Sequence, residues 1–416
     1  GAESLDEVSQ LLSGLIVEDG SQANRVSIRG IGSGPNIGFE QSVGLFIDGV
    51  YAGRDRQFNA PLFDIENIQV INGPQGTLFG KNTTAGAINI VSAKPTKVFE
   101  SHFYSNLVPE FDQYSSEAAI SGPLLPSLNG RLAIRQMESE GFVKNPLQND
   151  DNPDRNEFAL RGSLAWQPSS NIDVLLRVER SLFETAGMAN QLEQAGEFEE
   201  LFVAAAPTFT TGDYQRFTQP EFTKTQSNNA TLTVSWDFAE HKLVSTSGWS
   251  EYDLNDQVDV DFGPLEVLGQ RREQHYRQYS QEFRFTSPGG EFFDYIGGLY
   301  FQKTDLDINT ILAMQISSLL APVIDEPTII SSRNVVLARA ETVAKRFNAL
   351  YEEIAFQHMG SVNEEIVTTV EEINEIGSEI AFLNTKIQVE NAVGSEGFAP
   401  NDLLDKREQL IKELSE

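Results

Sequence analysis

The chain has 416 residues, a formal net charge of −31, 22% charged and 10% aromatic residues, and no cysteine. This acidity excludes a surface built to bind a phosphate backbone, and the missing thiols exclude disulfides, zinc–thiolate sites and a cysteine nucleophile. No apolar run approaches the ~20 residues a spanning helix needs, although strands of ~9–11 alternating residues can also cross a bilayer. In chain order, Ser4-Leu5-Asp6-Glu7 reads as a capping box opening a helix near 5–13, with Leu5, Val8, Leu11 and Leu12 at helical spacing. Val26 and Ile28, then Leu45 and Ile47, alternate as strands with one buried face. Ile65, Ile68, Val70 and Ile71 form another β-prone stretch, and Asn72-Gly73-Pro74-Gln75-Gly76 is turn chemistry. A polar loop from Gly80 to Gly86 leads into Ala87-Ile88-Asn89-Ile90-Val91, which Pro95 ends.

Residues 63–96, FDIENIQVINGPQGTLFGKNTTAGAINIVSAKPT, resemble the closing segment of the plug domain of TonB-dependent outer-membrane receptors. Ile68, Val70, Gly73, Pro74, Gly76, Leu78, Gly80, Gly86, Ile88, Asn89, Ile90, Lys94 and Pro95 fall in register with that pattern. Upstream, Ile28-Arg29-Gly30 and the run Val43 to Tyr51, with Asp48-Gly49 inside it, match further plug motifs. The resemblance implies a structural role for Arg29, Gly30, Asp48, Gly49, Glu66, Gly73, Pro74, Gly76, Gly80 and Asn89. It places ligand contacts at two plug apices: Ser33, Asn36 and Phe39 on the first, Tyr51, Arg54, Arg56 and Phe58 on the second. There the arginines would meet an anionic iron chelate and the aromatic rings would stack on it. The family's plug commonly carries charges where this chain has Asn67, Gln69 and Asn72, which puts the usual plug–barrel latch in doubt and leaves Arg29 and Glu66 as a candidate pair. The segments around Ile28, Ile47, Val70 and Ile90 are expected to share one small sheet.

From about residue 97 to 305 the pattern alternates at period two. Candidate strands are 102–108, 116–122, 131–138, 157–167, 173–183, 229–238, 242–253, 274–285 and 292–303, joined by short turns at one end and by longer connections at 184–227 and 254–272 at the other. Ser280 to Arg284 and Gly297 to Phe301 resemble recurrent strand phrases of the same receptors. A plugged transporter has roughly 22 strands. Nine would leave two open edges, so this chain is not expected to close a barrel alone. No leader and no TonB-box segment is recognisable, so residue 1 is expected to start inside the plug.

Beyond residue 310 the composition turns to Ala, Glu, Ile, Asn and Leu. Val336 to Ile354 form one helical stripe, and Ile366, Val370, Ile373, Ile376, Ile380, Leu383 and Ile387 form a second. Helices are expected over 333–358 and 361–391, with a third capped near Asn401. Phrases such as Leu337 to Thr342 and Asn401 to Leu410 resemble flagellar hook-associated protein 1 over about 322–416. No linker composition separates the parts, which points to an artificial or misassembled junction between Asp305 and Ile324.

The expected fold is therefore mixed and multi-domain: an α+β plug (1–95), a partial antiparallel outer-membrane β-barrel (96–310) and an all-α helical hairpin or bundle tail (322–416). By resemblance the chain is an outer-membrane receptor for a scarce ligand such as a ferric siderophore. The implied partners are the TonB–ExbB–ExbD energy-transducing complex, outer-membrane lipid and a small iron chelate. The alternative, resting on the tail, is a structural protein of the flagellar hook–filament junction that contacts hook and filament proteins. Four scattered histidines and no paired catalytic motif argue against an enzyme. No intrinsic cofactor, no catalytic residue, no metal site and no nucleic-acid partner is expected.

Overall fold

A computed structural model describes residues 4–18, 25–33, 40–109, 112–196, 199–288 and 294–315, and nine single positions beyond. The chain divides into two compact units, Gly1–Pro322 and Val323–Glu416. The first unit opens with α1 (Leu5–Leu11), β1 (Leu15–Glu18), β2 (Arg25–Ile28), β3 (Ile31–Gly32), β4 (Val43–Ile47), β5 (Val50–Tyr51), a 3₁₀ turn at Asp55–Asn59, β6 (Ile65–Asn72), α2 (Gly76–Phe79) and β7 (Gly86–Ser92). Ser4 caps α1, its Oγ accepting from the Glu7 amide at 3.2 Å.

The expected single plug sheet is two sheets. Ile28 lies in β1-β2-β3, whereas Ile47, Val70 and Ile90 lie in a four-stranded sheet ordered β5-β4-β7-β6, with β4 and β7 parallel. One core explains why the strands looked alike in sequence. Leu15, Val17, Val26 and Ile28 from the first sheet pack with Val43, Leu45, Ile88 and Ile90 from the second and with Leu5 and Val8 of α1. Each such side chain stabilises the body by roughly 1.5–3 kcal/mol. Between the expected turn at 72–76 and the expected loop from Gly80, residues 76–79 form the short helix α2, which ends at Gly80 with φ +80°.

Next come β8 (Glu100–Val108), β9 (Gln113–Leu125), β10 (Leu128–Ser139), the small hairpin β11 (Val143–Asn145) and β12 (Asp150–Asn152), β13 (Asp154–Ser169), β14 (Ile172–Ala186), α3 (Glu199–Ala205), β15 (Phe222–Phe238), β16 (His241–Asp259), β17 (Leu268–Thr286) and β18 (Ile296–Met314). Nine of these strands form one open antiparallel sheet in sequential order, β8-β9-β10-β13-β14-β15-β16-β17-β18. The number is odd, so β8 and β18 run the same way and cannot close on each other antiparallel. Two-residue turns join Leu125 to Leu128, Ser169 to Ile172 and Phe238 to His241 at one end. The other end carries the connections 187–221 and 260–267 and the β11–β12 hairpin.

The alternation has a physical division. Leu132, Leu160, Leu164, Leu176, Val178 and Leu232 are exposed on the outer face, while Arg131, Ala133, Ala159, Arg161 and Arg177 are buried on the inner one. Trp236, Phe238, His241, Phe285 and Tyr295 cluster at the two-residue-turn end, with Trp236 and Phe238 ring centroids 4.5 Å apart. Such aromatic belts sit at lipid–water boundaries. Strands such as β15 and β16 run past this apolar band into polar sequence, where hydrophobic alternation fades, so the expected ends at Asn229 and Asp253 fall short of the observed Phe222 and Asp259.

In the second unit the described positions Glu379, Phe382, Leu383, Lys386, Leu403, Asp405, Lys406, Arg407 and Gln409 are helical. Leu383, on the expected stripe, is 4% exposed, while neighbouring Phe382 is 64% exposed. Lys406 Nζ lies 2.7 Å from Glu379 Oε1. The remaining stripe residues and the expected helix bounds lie outside the described residues.

Candidate functional site

Two plug motifs are tight turns. Arg29-Gly30 joins β2 to β3 and Asp48-Gly49 joins β4 to β5; φ is +53°, +82°, +52° and +82° in turn. Positive φ at both central residues is the type I′ geometry that suits strand twist, and it accounts for Gly30 and Gly49. Asp48 does more than turn. Its carboxylate accepts from the Ser92 amide at 2.9 Å and the Ser92 hydroxyl at 2.8 Å, and it pairs with Arg177 Nη1 of β14 at 3.1 Å.

That pair belongs to a row of wall arginines that hold the plug. Arg131 of β10 binds Asp64 through Nε at 2.7 Å and Nη2 at 2.5 Å. Arg161 of β13 donates to the Phe63 carbonyl at 2.9 Å, lies 4.2 Å over the Phe63 ring and pairs with Glu179 at 2.7 Å. Arg177 also donates to the Ser92 carbonyl at 2.8 Å. Arginines on the wall thus hold Asp48, Asp64 and backbone carbonyls of the plug, although Asn67, Gln69 and Asn72 bring no charge. Arg29 and Glu66 make no ion pair with each other among the described residues. Arg131, Arg161, Arg177 and Asp64 escaped the sequence reading. The available signal was a basic residue at an inward position of a strand whose outward positions are apolar.

Among the remaining motif residues, Gly73 and Gly80 have φ near +80° and open space around them, so conformation rather than packing requires glycine. Pro74 and Gly76 flank the start of α2 and are exposed. Asn89 pairs across strands with Gln69, donating at 3.3 Å.

The second apex is not a free loop. Tyr51, Arg54, Arg56 and Phe58 are only 3%, 4%, 7% and 2% exposed, because β16 and β17 cover them. Phe58 is part of the plug core. Arg56 Nη2 lies 3.7 Å from Asp256, which also pairs with Arg272. Gln278 donates to the Tyr51 carbonyl at 2.7 Å, and Gln57 to Ser250 at 3.2 Å. Asn82 donates to the Tyr51 hydroxyl at 2.9 Å, and Lys81 lies 5.1 Å over its ring. Burial and the charge of Glu40 hold this phenol well above its ordinary range. A cavity of about 80 Å³ between this apex and the wall is lined by Gln57, Asn59, Ser181, Ser227, Asn229 and Ser250, among others. On the first apex Ser33 Oγ accepts from the Ser42 amide at 2.6 Å, while Asn36 and Phe39 lie outside the described residues.

Above the plug the long connections have their own core of Phe202, Phe209 and Phe217, with Leu192 and Leu265 against it. Asn145 of β11 ties in by donating to the Thr218 carbonyl at 3.0 Å. Beneath lies a charged knot, where Arg216 pairs with Glu221 at 2.5 Å and Asp259 accepts from the Gln219 amide at 2.8 Å. Burial, then the charge of Asp261, pushes the Asp259 carboxyl up to about 8. Burial likewise raises Asp261 and Glu221. With a folded value above the unfolded one, the folded state holds more protons between about 4 and 8, so stability falls as the pH rises through that window. Amide hydrogen exchange in 187–221 is therefore expected to speed up from the acid to the alkaline side of the window. Exchange that slows, once corrected for intrinsic chemistry, would contradict this.

Known proteins match in two separate pieces. Residues 1–87 match the family described as the TonB-dependent Receptor Plug Domain, and residues 301–416 the Flagellar hook-associated protein FlgK helical domain. The pesticin receptor of Yersinia enterocolitica is 29% identical over 154 residues, covering 36% of this chain and 22% of that protein. Flagellar hook-associated protein 1 of Salmonella typhimurium is 35% identical over 85 residues, covering 20% of this chain and 15% of that protein. The crystal structure of the ferric yersiniabactin uptake receptor from Yersinia pestis superposes with a TM-score of 0.64 at 22% identity, over 76% of this chain and 48% of that one. The chain spans about a fifth of the curated receptor it matches. Both resemblances seen in the sequence hold: the chain begins with a segment similar to receptor plug domains and ends with one similar to hook-associated protein. β18 pairs with β17 through Met314, so residues 301–314, which lie within the hook-associated match, belong to the nine-stranded antiparallel sheet.

Proposed function

We propose that residues 1–314 are the plug and part of the wall of an outer-membrane TonB-dependent receptor that takes up an anionic ferric siderophore. The observation that carries this reading is the plug body latched by Arg131, Arg161 and Arg177 to the inner face of a sequential antiparallel sheet whose outer face is apolar. The two-residue-turn end faces the periplasm and the folded connections face outward. In this reading the entering chelate displaces the cover of Arg54 and Arg56, which bind it while Tyr51 flanks it, and the TonB–ExbB–ExbD complex then drives plug rearrangement and release into the periplasm. The segment 322–416 has a separate, structural role, and its similarity to hook-associated protein 1 is what supports it.

In a complete receptor carrying this plug, Arg54→Ala with Arg56→Ala is expected to weaken binding of a ferric chelate about tenfold or more, the loss of one or two charge-assisted contacts. Unchanged affinity, with an unchanged circular dichroism spectrum, removes these arginines from the site. Recovery of the chain in the inner rather than the outer membrane fraction removes the receptor reading itself.

A further inference from the structure

We propose that Asp64, His102 and Glu117 form a divalent transition-metal site that staples the plug to the first two wall strands. The three residues come from three places: the segment before β6, β8 and β9. Their ligand atoms all lie within 4.8 Å of one another. His102 Nε2 is 3.5 Å from Glu117 Oε1 and 3.8 Å from Asp64 Oδ1. These separations are too long for hydrogen bonds. They approach the ~3.3 Å between ligand atoms that bonds of about 2.0–2.1 Å to a tetrahedral cation produce.

Two independent features favour a cation here. The first is orientation. Arg131 grips both oxygens of Asp64, and the Asp64 amide donates to Glu117 Oε1 at 3.0 Å. Both carboxylates are thereby fixed in place by hydrogen-bond donors, as the outer partners of metal ligands fix theirs, and each oxygen keeps a second lone pair for a cation. The second is charge. Asp64, Glu117 and Glu100 bring three negative charges, and Arg131, which also binds Glu100 at 2.8 Å, brings one positive charge. The three acids and Arg131 together leave an excess of two negative charges, which one divalent ion balances. The His102 side chain is 33% exposed, which leaves a path for entry. One imidazole and two carboxylates, with water in the fourth position, suit zinc or another first-row divalent ion rather than calcium or magnesium.

The test uses the full chain in detergent micelles, with zinc as the probe and equilibrium dialysis as the readout. The expected result is one zinc per chain, with affinity reduced more than tenfold in His102→Gln and in Glu117→Gln and unchanged in His275→Gln, which alters the other wall His–Asp contact. A variant with His241, His275 and His358 all replaced by Gln keeps His102 as its single imidazole. X-ray absorption of the zinc-loaded variant should still show imidazole scattering. Absence of that scattering, or His102→Gln binding zinc as tightly as the unaltered chain, overturns the proposal.

Discussion

Replacing Asp48 with Ala is expected to loosen the plug by about 3–5 kcal/mol, the usual cost of stripping one partner from a buried ion pair. Three effects act together. Arg177 Nη1 loses the carboxylate 3.1 Å away, in a side chain 7% exposed. The buried Ser92 amide and hydroxyl lose their acceptor. Alanine must also adopt φ +52°, which asparagine or aspartate tolerates far better. Asp48→Asn is expected to lose clearly less, since it keeps an acceptor and the turn. The measurement is the urea midpoint of plug unfolding, followed by proteolysis of the β4–β7 region. A loss below about 1 kcal/mol for Asp48→Ala would mean that the wall arginine contributes little to holding the plug.

Gly86→Val is the second large effect expected. Gly86 opens β7 with φ +150°, a region that L side chains rarely adopt. A Cβ there would stand 2.4 Å from the Ile71 carbonyl oxygen and 2.8 Å from Ile28 Cδ1. The backbone contact cannot be relieved by a rotamer change, and the side-chain contact lies where the two plug sheets meet. Strain and overpacking together are expected to cost about 3 kcal/mol or more. Gly73→Ala is the comparison: its φ is +80° but nothing lies within 4 Å, so its cost should be the conformational part alone. Equal destabilisation by Gly86→Val and Gly73→Ala would show that the meeting of the sheets does not constrain Gly86.

The sequence by itself determined whatever depends on neighbours along the chain. Ser4 is legible as a cap, Arg29-Gly30 and Asp48-Gly49 as turns, and Leu160, Gly162 and Leu164 as one face of a strand, because a turn or a pleat is set within two to four residues. The nine wall strands and the change of character near residue 310 are legible for the same reason. Tertiary structure alone decided what depends on pairing across distance. Ile28 and Ile47 have the same local pattern yet join different sheets, since one core accepts strands from both. Arg54 and Arg56 read as ligand contacts on a plug apex, and β16 and β17, some two hundred residues later, bury them. The latch is the clearest case. Asp48 meets Arg177, and Asp64 meets Arg131, only because the wall curves over the plug. A buried charge must find its partner wherever the fold places one, and nothing in the spacing of residues along the chain records that distance.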